Sequence, residues 1–408
     1  MNVPFFRPDL SEAEISEVVE TLRSGWLTTG PRVKRFEEEF AAAVGAPHAV
    51  AVNSCTAALH LAVEALGLRQ GQAVLVPTMT FAATAEIVRY TGALPVLVDC
   101  DPDTLNLDLA DAERKLADLR AGRLPHAAGT AGTEVVGIIP VHVGGLMMDM
   151  DALAGFAERH GLWIVEDAAH AFPAAWRPIG DIAGWQRCGE NTAAVSCFSF
   201  YANKTITTGE GGMATTSDPG LAERMRMMSL HGLSHDAWGR FSKGGSWDYK
   251  ILAPGFKYNL TDIAAAIGIH QLARAEAMRA SREGLAMRYL QALRNVEELD
   301  LPVVAKDRIH AWHLFPARIR LEKLAIDRNG FIAELKQASV GCSVHWRPLH
   351  LHPYYAETFG WKEEDLPTAS AVWERIVTLP LFPTMTDAEH EYVVAIVKDI
   401  CRRHGLAG

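Results

Sequence analysis

Cysteine is scarce. Cys55, Cys100, Cys188, Cys197, Cys342 and Cys401 are scattered along 408 residues and no two of them form a CxxC pair, so reduced and mostly buried thiols are expected. No long run is free of charged or polar breaks, and no membrane span is expected. Basic charge is in deficit too. The 39 Lys and Arg stand against 49 Asp and Glu, a formal net charge of −10, which argues against a dedicated nucleic-acid binder. The first stretch, "MNVPFFRPDLSEAEISEVVE", lacks a basic end followed by an apolar run and turns acidic almost at once. It does not read as a secretion signal, and a cytoplasmic enzyme is expected. Internal repeats and low-complexity linkers are absent as well, apart from one Gly/Ala/Pro-rich loop, "LRAGRLPHAAGTAGTE".

Apolar residues are plentiful, at 49%, and the length allows a large core divided into two or three lobes. In the first half, β-branched runs alternate with helical patterns. "HAVAVNS", "QAVLVP", "LPVLVDC", "VVGIIPVHV", "LWIVED" and "AAVSCFSF" read as buried strands, with "TAALHLAVEALGL" and "MDALAGFAERHG" as helices between them. That alternation predicts an α/β fold on a largely parallel sheet, with ligand sites at the carboxyl ends of its strands. The order changes after Asn259. A long helix-forming run capped by Thr261, with Asp262 in its first turn, leads into a smaller α+β lobe. The expected division is a large α/β domain over 1–262 and a linking helix with a small C-terminal domain over 263–408, the N-terminal segment being free to pack on the small one.

The chemistry begins at strand ends. "LWIVEDAAHA" runs an apolar strand into Glu166 and Asp167, then His170. Period-two alternation puts one acid on each side of the sheet, so the two are not an obvious acid/base couple. Lys204, in "CFSFYANKTITTGEGGM", is the one amine of a stretch of small, polar and aromatic residues. A lysine in a partly desolvated cleft becomes a Schiff-base nucleophile, and a carboxylate can hold a ring nitrogen protonated. The pair points to pyridoxal phosphate. Taken singly, such a lysine is usually a solvated group and such an aspartate a turn or cap.

A phosphate needs a cradle, and "VNSCTAALHLAVEAL" supplies a strand, a small-residue turn and a helix start with amides from Thr56 and Ala57. Ser54 or Thr56 can equally be a plain N-cap. Ser199 can add a hydroxyl. Phe81, in "VPTMTFAATAEI", is the candidate stacking face for a flat ring, or else a core phenylalanine.

These stretches resemble the sugar aminotransferases of the DegT/StrS family, within the fold type I pyridoxal-phosphate enzymes. The matching segments, in order, are "LRSGWLTTGP", "NSCTAALHLA", "VPTMTFAATA", "VEDAAHAF", "CFSFYANKTITTGEGGM", "PGFKYNLTDIAAAIG", "HAWHLF" and "TLPLFPTMT". The resemblance implies a large domain on a mostly parallel seven-stranded sheet and a smaller α+β C-terminal domain. It implies Lys204 as the Schiff-base lysine, Asp167 on the pyridinium nitrogen and His170 on the ring's phenolic oxygen. It further implies Thr56, Ala57 and Ser199 on the phosphate, Phe81 over the ring, and Asn259 reaching the phosphate from the partner of a homodimer. Related sugar dehydratases carry His where Lys204 stands, so Lys204 matches the aminotransferase branch.

The implied reaction moves an amino group from L-glutamate to a keto sugar. "HAWHLF", "VHWRPLHLHPYY" and "ERIVTLPLFP" resemble enzymes that aminate position 4 of a nucleotide-linked sugar, the UDP-4-amino-4-deoxy-L-arabinose type especially. His313, His345, Arg347 and Tyr354 are the candidate sugar or diphosphate contacts, with packing as the alternative role. No metal site is expected, since the spacing in "HWRPLHLH" matches no common zinc set. Three departures from the family pattern touch the rim of the site: Cys55 where relatives usually have Gly, a long segment "WRPIGDIAGWQRCGENTAAVS", and His235 where many have Arg. Another ketone acceptor, such as a 3-keto sugar or a cyclitol ketone, and a non-catalytic regulatory relative remain the other readings.

Overall fold

The computed structural model describes residues 1–125, 132–180, 184–190, 193–234 and 250–406. Its centre is a seven-stranded sheet. In chain order the strands of the first half are β1 (His48–Val52), β2 (Gln72–Pro77), β3 (Leu94–Val98), β4 (Glu134–Ile138), β5 (Trp163–Asp167), β6 (Ala175–Trp176), β7 (Gln186–Arg187), β8 (Val195–Ser199) and β9 (Gly212–Thr216). The large sheet runs β1-β9-β8-β5-β4-β2-β3. β9 is antiparallel to both its neighbours, β1 and β8, while the remaining pairs are parallel.

The six apolar runs read as strands all fall in this sheet. β9 was not among them: "GMATT" is short and small, and its strand character comes from pairing on both sides. β9 turns back on β8 through the loop at 200–211, so the two strands form an antiparallel hairpin at that side of the sheet. The long segment after Asp167 contributes β6 and β7, which pair with each other and, through β6, with β11 (Arg308–Ile309).

Helices cover the sheet. Those of the first half are α1 (Glu12–Ser24), α2 (Pro31–Val44), α3 (Cys55–Ala65), α4 (Ala83–Tyr90), α5 (Leu109–Arg120), α6 (Met150–His160) and α7 (Pro219–Met228). α3 is buried from Ala57 to Val63, as an all-round apolar helix must be.

The run after Asn259 is two helices rather than one, α8 (Asp262–Ala273) and α9 (Ala275–Leu293). Thr261 caps α8 as expected, its side chain accepting from the Ala264 amide at 3.3 Å. The break falls at Arg274, with neither Gly nor Pro present. The Arg274 guanidinium is tied to Asp9 (3.1 Å) and Glu14 (2.6 Å) of the N-terminal segment, so a tertiary contact sets the joint.

Beyond lie β10 (Leu299–Asp300), β11, β12 (Phe315–Ile319), α10 (Arg328–Gln337), α11 (Pro353–Phe359), α12 (Pro367–Trp373), β13 (Ile376–Leu379) and α13 (Asp387–His404). A second core gathers Tyr289, Phe315, Phe331 and Val397 around the β10-β12-β13 sheet. Val3 joins it from the N-terminus and bridges Val340. Ala275 and Met278 of α9 belong to the large core, whereas Leu285 and Tyr289 belong to the small one. Among the described residues no helix is long and apolar enough to cross a membrane.

Candidate active site

A cavity of about 490 Å³ opens where β5 and β8 end. Its walls bring together eight of the expected residues: Thr56, Phe81, Asp167, His170, Ser199, Lys204, His313 and His345. Asp167 ends β5 and Ser199 ends β8, neighbouring parallel strands in which Asp167 is in register with Cys197. Strand ends of one sheet thus converge on one space, as the doubly wound topology requires.

Lys204 is held by a wide hairpin loop. Phe200 anchors the loop's base: its amide donates to the Gly211 carbonyl (2.9 Å), and its carbonyl accepts from the Thr208 amide (2.9 Å) and the Thr207 hydroxyl (3.0 Å). The Phe200 ring packs against Phe36 and Phe40, so the loop cannot slide. Within it the Lys204 amide turns back onto the Tyr201 carbonyl at 2.9 Å. Burial pushes the Lys204 amine down to about 8, against the opposing pull of Cys55 and Asp167. Such an amine is partly neutral near physiological pH and can act as a nucleophile.

Asp167 is buried, and burial raises its proton affinity. Opposing this, the Thr84 hydroxyl donates to Oδ2 at 2.7 Å and the Ala169 amide to Oδ1 at 3.2 Å. His170 Nδ1 accepts from the Gly144 amide at 3.3 Å. Burial depresses its basicity well below the usual range, so the ring is neutral with its proton on Nε2. Trp346 stacks on the same ring at 5.1 Å and 16°, and His313 lies 4.3 Å from it on centroids.

The start of α3 forms the anion cradle. Ser54 caps it: its Oγ accepts from the Ala57 amide at 3.1 Å and its carbonyl from Ala58 at 3.1 Å. The Cys55 and Thr56 amides precede those bonds and head the helix at the cavity, where Ser54, Cys55 and Thr56 all form wall. Ala57 is buried with its amide engaged by the cap, away from the cavity lining. Gly212, the first residue of β9, explains how the cradle comes so close to the sheet. A Cβ there would stand 2.5 Å from the Ser54 carbonyl carbon and 2.6 Å from the Cys55 nitrogen.

Phe81 marks the rim of this wall, whereas Asn259, Arg347 and Tyr354 lie outside it. Phe81 is at the mouth, 65% exposed. Asn259 bridges Val52 and donates from Nδ2 to Thr29 Oγ1 at 2.7 Å, outside this chain's own cavity lining. Arg347 is exposed and donates to the Leu351 carbonyl at 3.0 Å; Tyr354 is 49% exposed; neither lines the cavity. His235 lies outside the described residues. Sequence reasoning missed Trp346, Tyr201, Asn203 and Thr84. Trp346 follows a flagged histidine, and Thr84 stands three residues after Phe81 at the start of a helix, which is the only signal either carried.

An enclosed amine, a buried carboxylate and an anion cradle at the crest of a mostly parallel sheet define a Schiff-base enzyme that holds a phosphorylated carbonyl cofactor. The chain belongs to the DegT/DnrJ/EryC1/StrS aminotransferase family, whose model matches residues 8–398. It is 45% identical over 403 residues to the spore coat polysaccharide biosynthesis protein SpsC of Bacillus subtilis, covering 98% of this chain and 97% of SpsC. Among solved structures it is similar to the putative sugar aminotransferase Spr1654 of Streptococcus pneumoniae. The PMP form gives a TM-score of 0.87 at 32% identity over 98% of this chain and 100% of that one; the PLP form gives 0.86 at 31% over 99% of each. S. venezuelae DesV, solved with a ketimine intermediate, gives 0.84 at 32% over 98% and 99%. The protein is a pyridoxal-phosphate-dependent transaminase of the sugar aminotransferase group, with the fold of that group. The residues present fit the cofactor: the donor set offers an amine for its aldehyde, a carboxylate for its ring nitrogen and helix-start amides for its phosphate.

Proposed function

We propose that this enzyme moves the amino group of L-glutamate to a nucleotide-linked 4-keto sugar, releasing 2-oxoglutarate. The observation that carries the reading is the enclosure of Lys204, with its amine brought down to about 8, in one cavity with Asp167 and a cluster of neutral imidazoles. Burial pushes His345 down to about 4 and His313 well below its usual range. A neutral imidazole donates from one nitrogen and accepts at the other, which suits the hydroxyls of a sugar acceptor.

The residues divide the work. Lys204 Nζ would be the amine for the cofactor aldehyde and, when free, the base and acid that moves one proton between the substrate carbon and the cofactor carbon, in one direction with the donor and in the opposite direction with the acceptor. Asp167 would accept from the ring N–H of the bound cofactor, and His170 Nε2–H would donate to its phenolic oxygen. Thr56, Ser199 and the amides at the start of α3 would hold the phosphate, Ala57 contributing through the cap it makes with Ser54, and Phe81 would cover the ring at the mouth. When bound, pyridoxal phosphate supplies an electron sink for the carbanion at the substrate carbon. His313 and His345 face the sugar; Arg347 and Tyr354, outside the cavity, are left for the nucleotide.

The reading includes a homodimer and the domain division at residue 262. Asn259, outside its own cavity, is available to a partner's phosphate site, and exposed Ile251 and Leu252 lie nearby in sequence. The six free thiols accord with a cytoplasmic setting.

The test is spectroscopic. L-Glutamate added to the purified holoenzyme should bleach the visible band of the lysine-bound cofactor and yield 2-oxoglutarate, and a nucleotide-linked 4-keto sugar should restore it. Restoration by a cyclitol ketone or a 3-keto sugar instead would move the acceptor. A protein that cannot be loaded with cofactor would be a non-catalytic relative.

A further inference from the structure

Among the described residues the Asp167 carboxylate has two donors, and one of them stands on a longer chain of hydroxyls. Thr84, wholly buried on α4, places Oγ1 2.7 Å from Asp167 Oδ2, 2.6 Å from Thr80 Oγ1 and 3.2 Å from the Phe81 carbonyl. Thr80 is also buried. A hydroxyl has one proton to give, and a carboxylate only accepts. The Thr84 proton therefore goes to Asp167, and the longer approach to Phe81 is not a donated bond. Thr84 Oγ1 is then free to accept, and the Thr80 proton goes to it. A neutral carboxyl would reverse the chain, with Asp167 donating to Thr84 and Thr84 turning to Phe81. The Ala169 amide at Oδ1 adds a second donor and favours the first arrangement.

We propose that Thr80 and Thr84 form a directed hydroxyl chain that positions the Asp167 carboxylate for the cofactor's ring nitrogen. The proposal rests on the role given to Asp167 above. Thr84 is a positioning residue, since it acts through Asp167 and does not itself line the cavity. Among the influences opposing burial at Asp167, the Thr84 bond is the largest. Thr84 is wholly buried behind the cavity wall and Thr80, nearly buried, forms part of that wall, so the chain runs from the cavity edge inward and each hydroxyl polarises the next. The same turn places Phe81 at the cavity mouth and Thr84 on the carboxylate, which registers the ring's stacking face with its nitrogen partner.

The experiment reconstitutes the apoenzyme with pyridoxal phosphate labelled with 15N in the ring and reads two quantities at one neutral pH. These are the ring-nitrogen chemical shift, which separates pyridinium from pyridine, and the cofactor dissociation constant by fluorescence titration. Wild type should show pyridinium. Thr84→Val should move the shift toward pyridine and weaken cofactor binding about tenfold, the scale of a hydrogen bond to a charged group. Thr84→Ser should restore both, and Thr80→Val should move both in the same direction by about threefold in affinity.

Asp167→Asn separates the two claims. If it leaves the nitrogen as in wild type, the role of Asp167 fails. If it moves the nitrogen while Thr84→Val does not, the hydroxyl chain fails and Asp167 stands. Should Thr84→Val not fold by circular dichroism, Thr80→Val decides alone, and an unmoved shift there overturns the chain.

Discussion

The two faces of β5 treat consecutive carboxylates in opposite ways. On the back face Glu166 is sealed: His142 Nε2 donates to Oε1 at 3.3 Å, the Ser196 hydroxyl meets Oε2, and His142 Nδ1 accepts from the Met148 amide at 3.2 Å. On the cleft face Asp167 is buried too, yet it forms part of the cavity wall and shares that wall with Lys204. His142, Glu166 and Cys188 come close enough together to suggest a metal set. Both nitrogens of His142 are already committed, however, so the cluster acts as a buried network that fixes the strand. Burial is thus common to both acids. What separates them is whether the space beyond the carboxylate is filled by protein or left for a ligand.

That contrast can be broken most sharply by exchanging the charge on each face in turn. Asp167→Asn should cut turnover by about 10²–10³-fold, the scale of losing one preorganised electrostatic partner. A variant that keeps its turnover would place the ring's partner elsewhere.

Lys204 sharpens the cleft side through pH. Burial disfavours its charged form, so the neutral, nucleophilic fraction grows as pH rises to about 8 and then saturates. The rate at which apoenzyme captures pyridoxal phosphate should climb about tenfold per pH unit well below 8 and level off above it. Stability follows the same sign. The penalty for burying the cation is present below about 8 and fades as pH rises toward the ordinary value of 10.5, so a Lys204→Met apoenzyme should lose that upward slope. A capture rate that keeps rising well past 9 would show an amine in ordinary surroundings.

The smallest effect on chemistry belongs to the back face. Glu166→Gln should change turnover by less than about twofold while costing about 1–3 kcal/mol of stability, read as a lower urea midpoint, because buried donors lose a charged acceptor. A fall in turnover matching Asp167→Asn would erase the distinction between the faces.

The parts that were legible in the sequence share a physical basis. Six apolar runs found their places in the sheet because β-branched residues between helical segments have one way to be buried. Asp167, Ser199 and Thr56 were legible as strand-end or helix-start residues, where backbone geometry forces a side chain or amide into the cleft, and Lys204 as the one amine in the loop that follows β8. β9 was not, since "GMATT" has little apolar signal and exists through its partners β1 and β8. Nor was the joint at Arg274, which depends on Asp9 and Glu14 more than two hundred and fifty residues away in sequence. Arg347 and Tyr354 looked like their histidine neighbours in the same stretch, and only the path of the chain carried His345 and Trp346 into the cavity and left those two outside.

By itself the sequence determined the alternating α/β plan, the lysine, the acid that faces it and the helix start that can hold an anion, because each follows from periodicity or from chemistry carried by a single residue. Tertiary structure alone decided that Thr84 donates to Asp167, that His170 carries its proton on Nε2, and that the amine of Lys204 is brought down to about 8. Those properties belong to no residue alone. They arise from which groups lie within hydrogen-bonding distance once water has been removed, and that is set by packing between segments far apart in the chain.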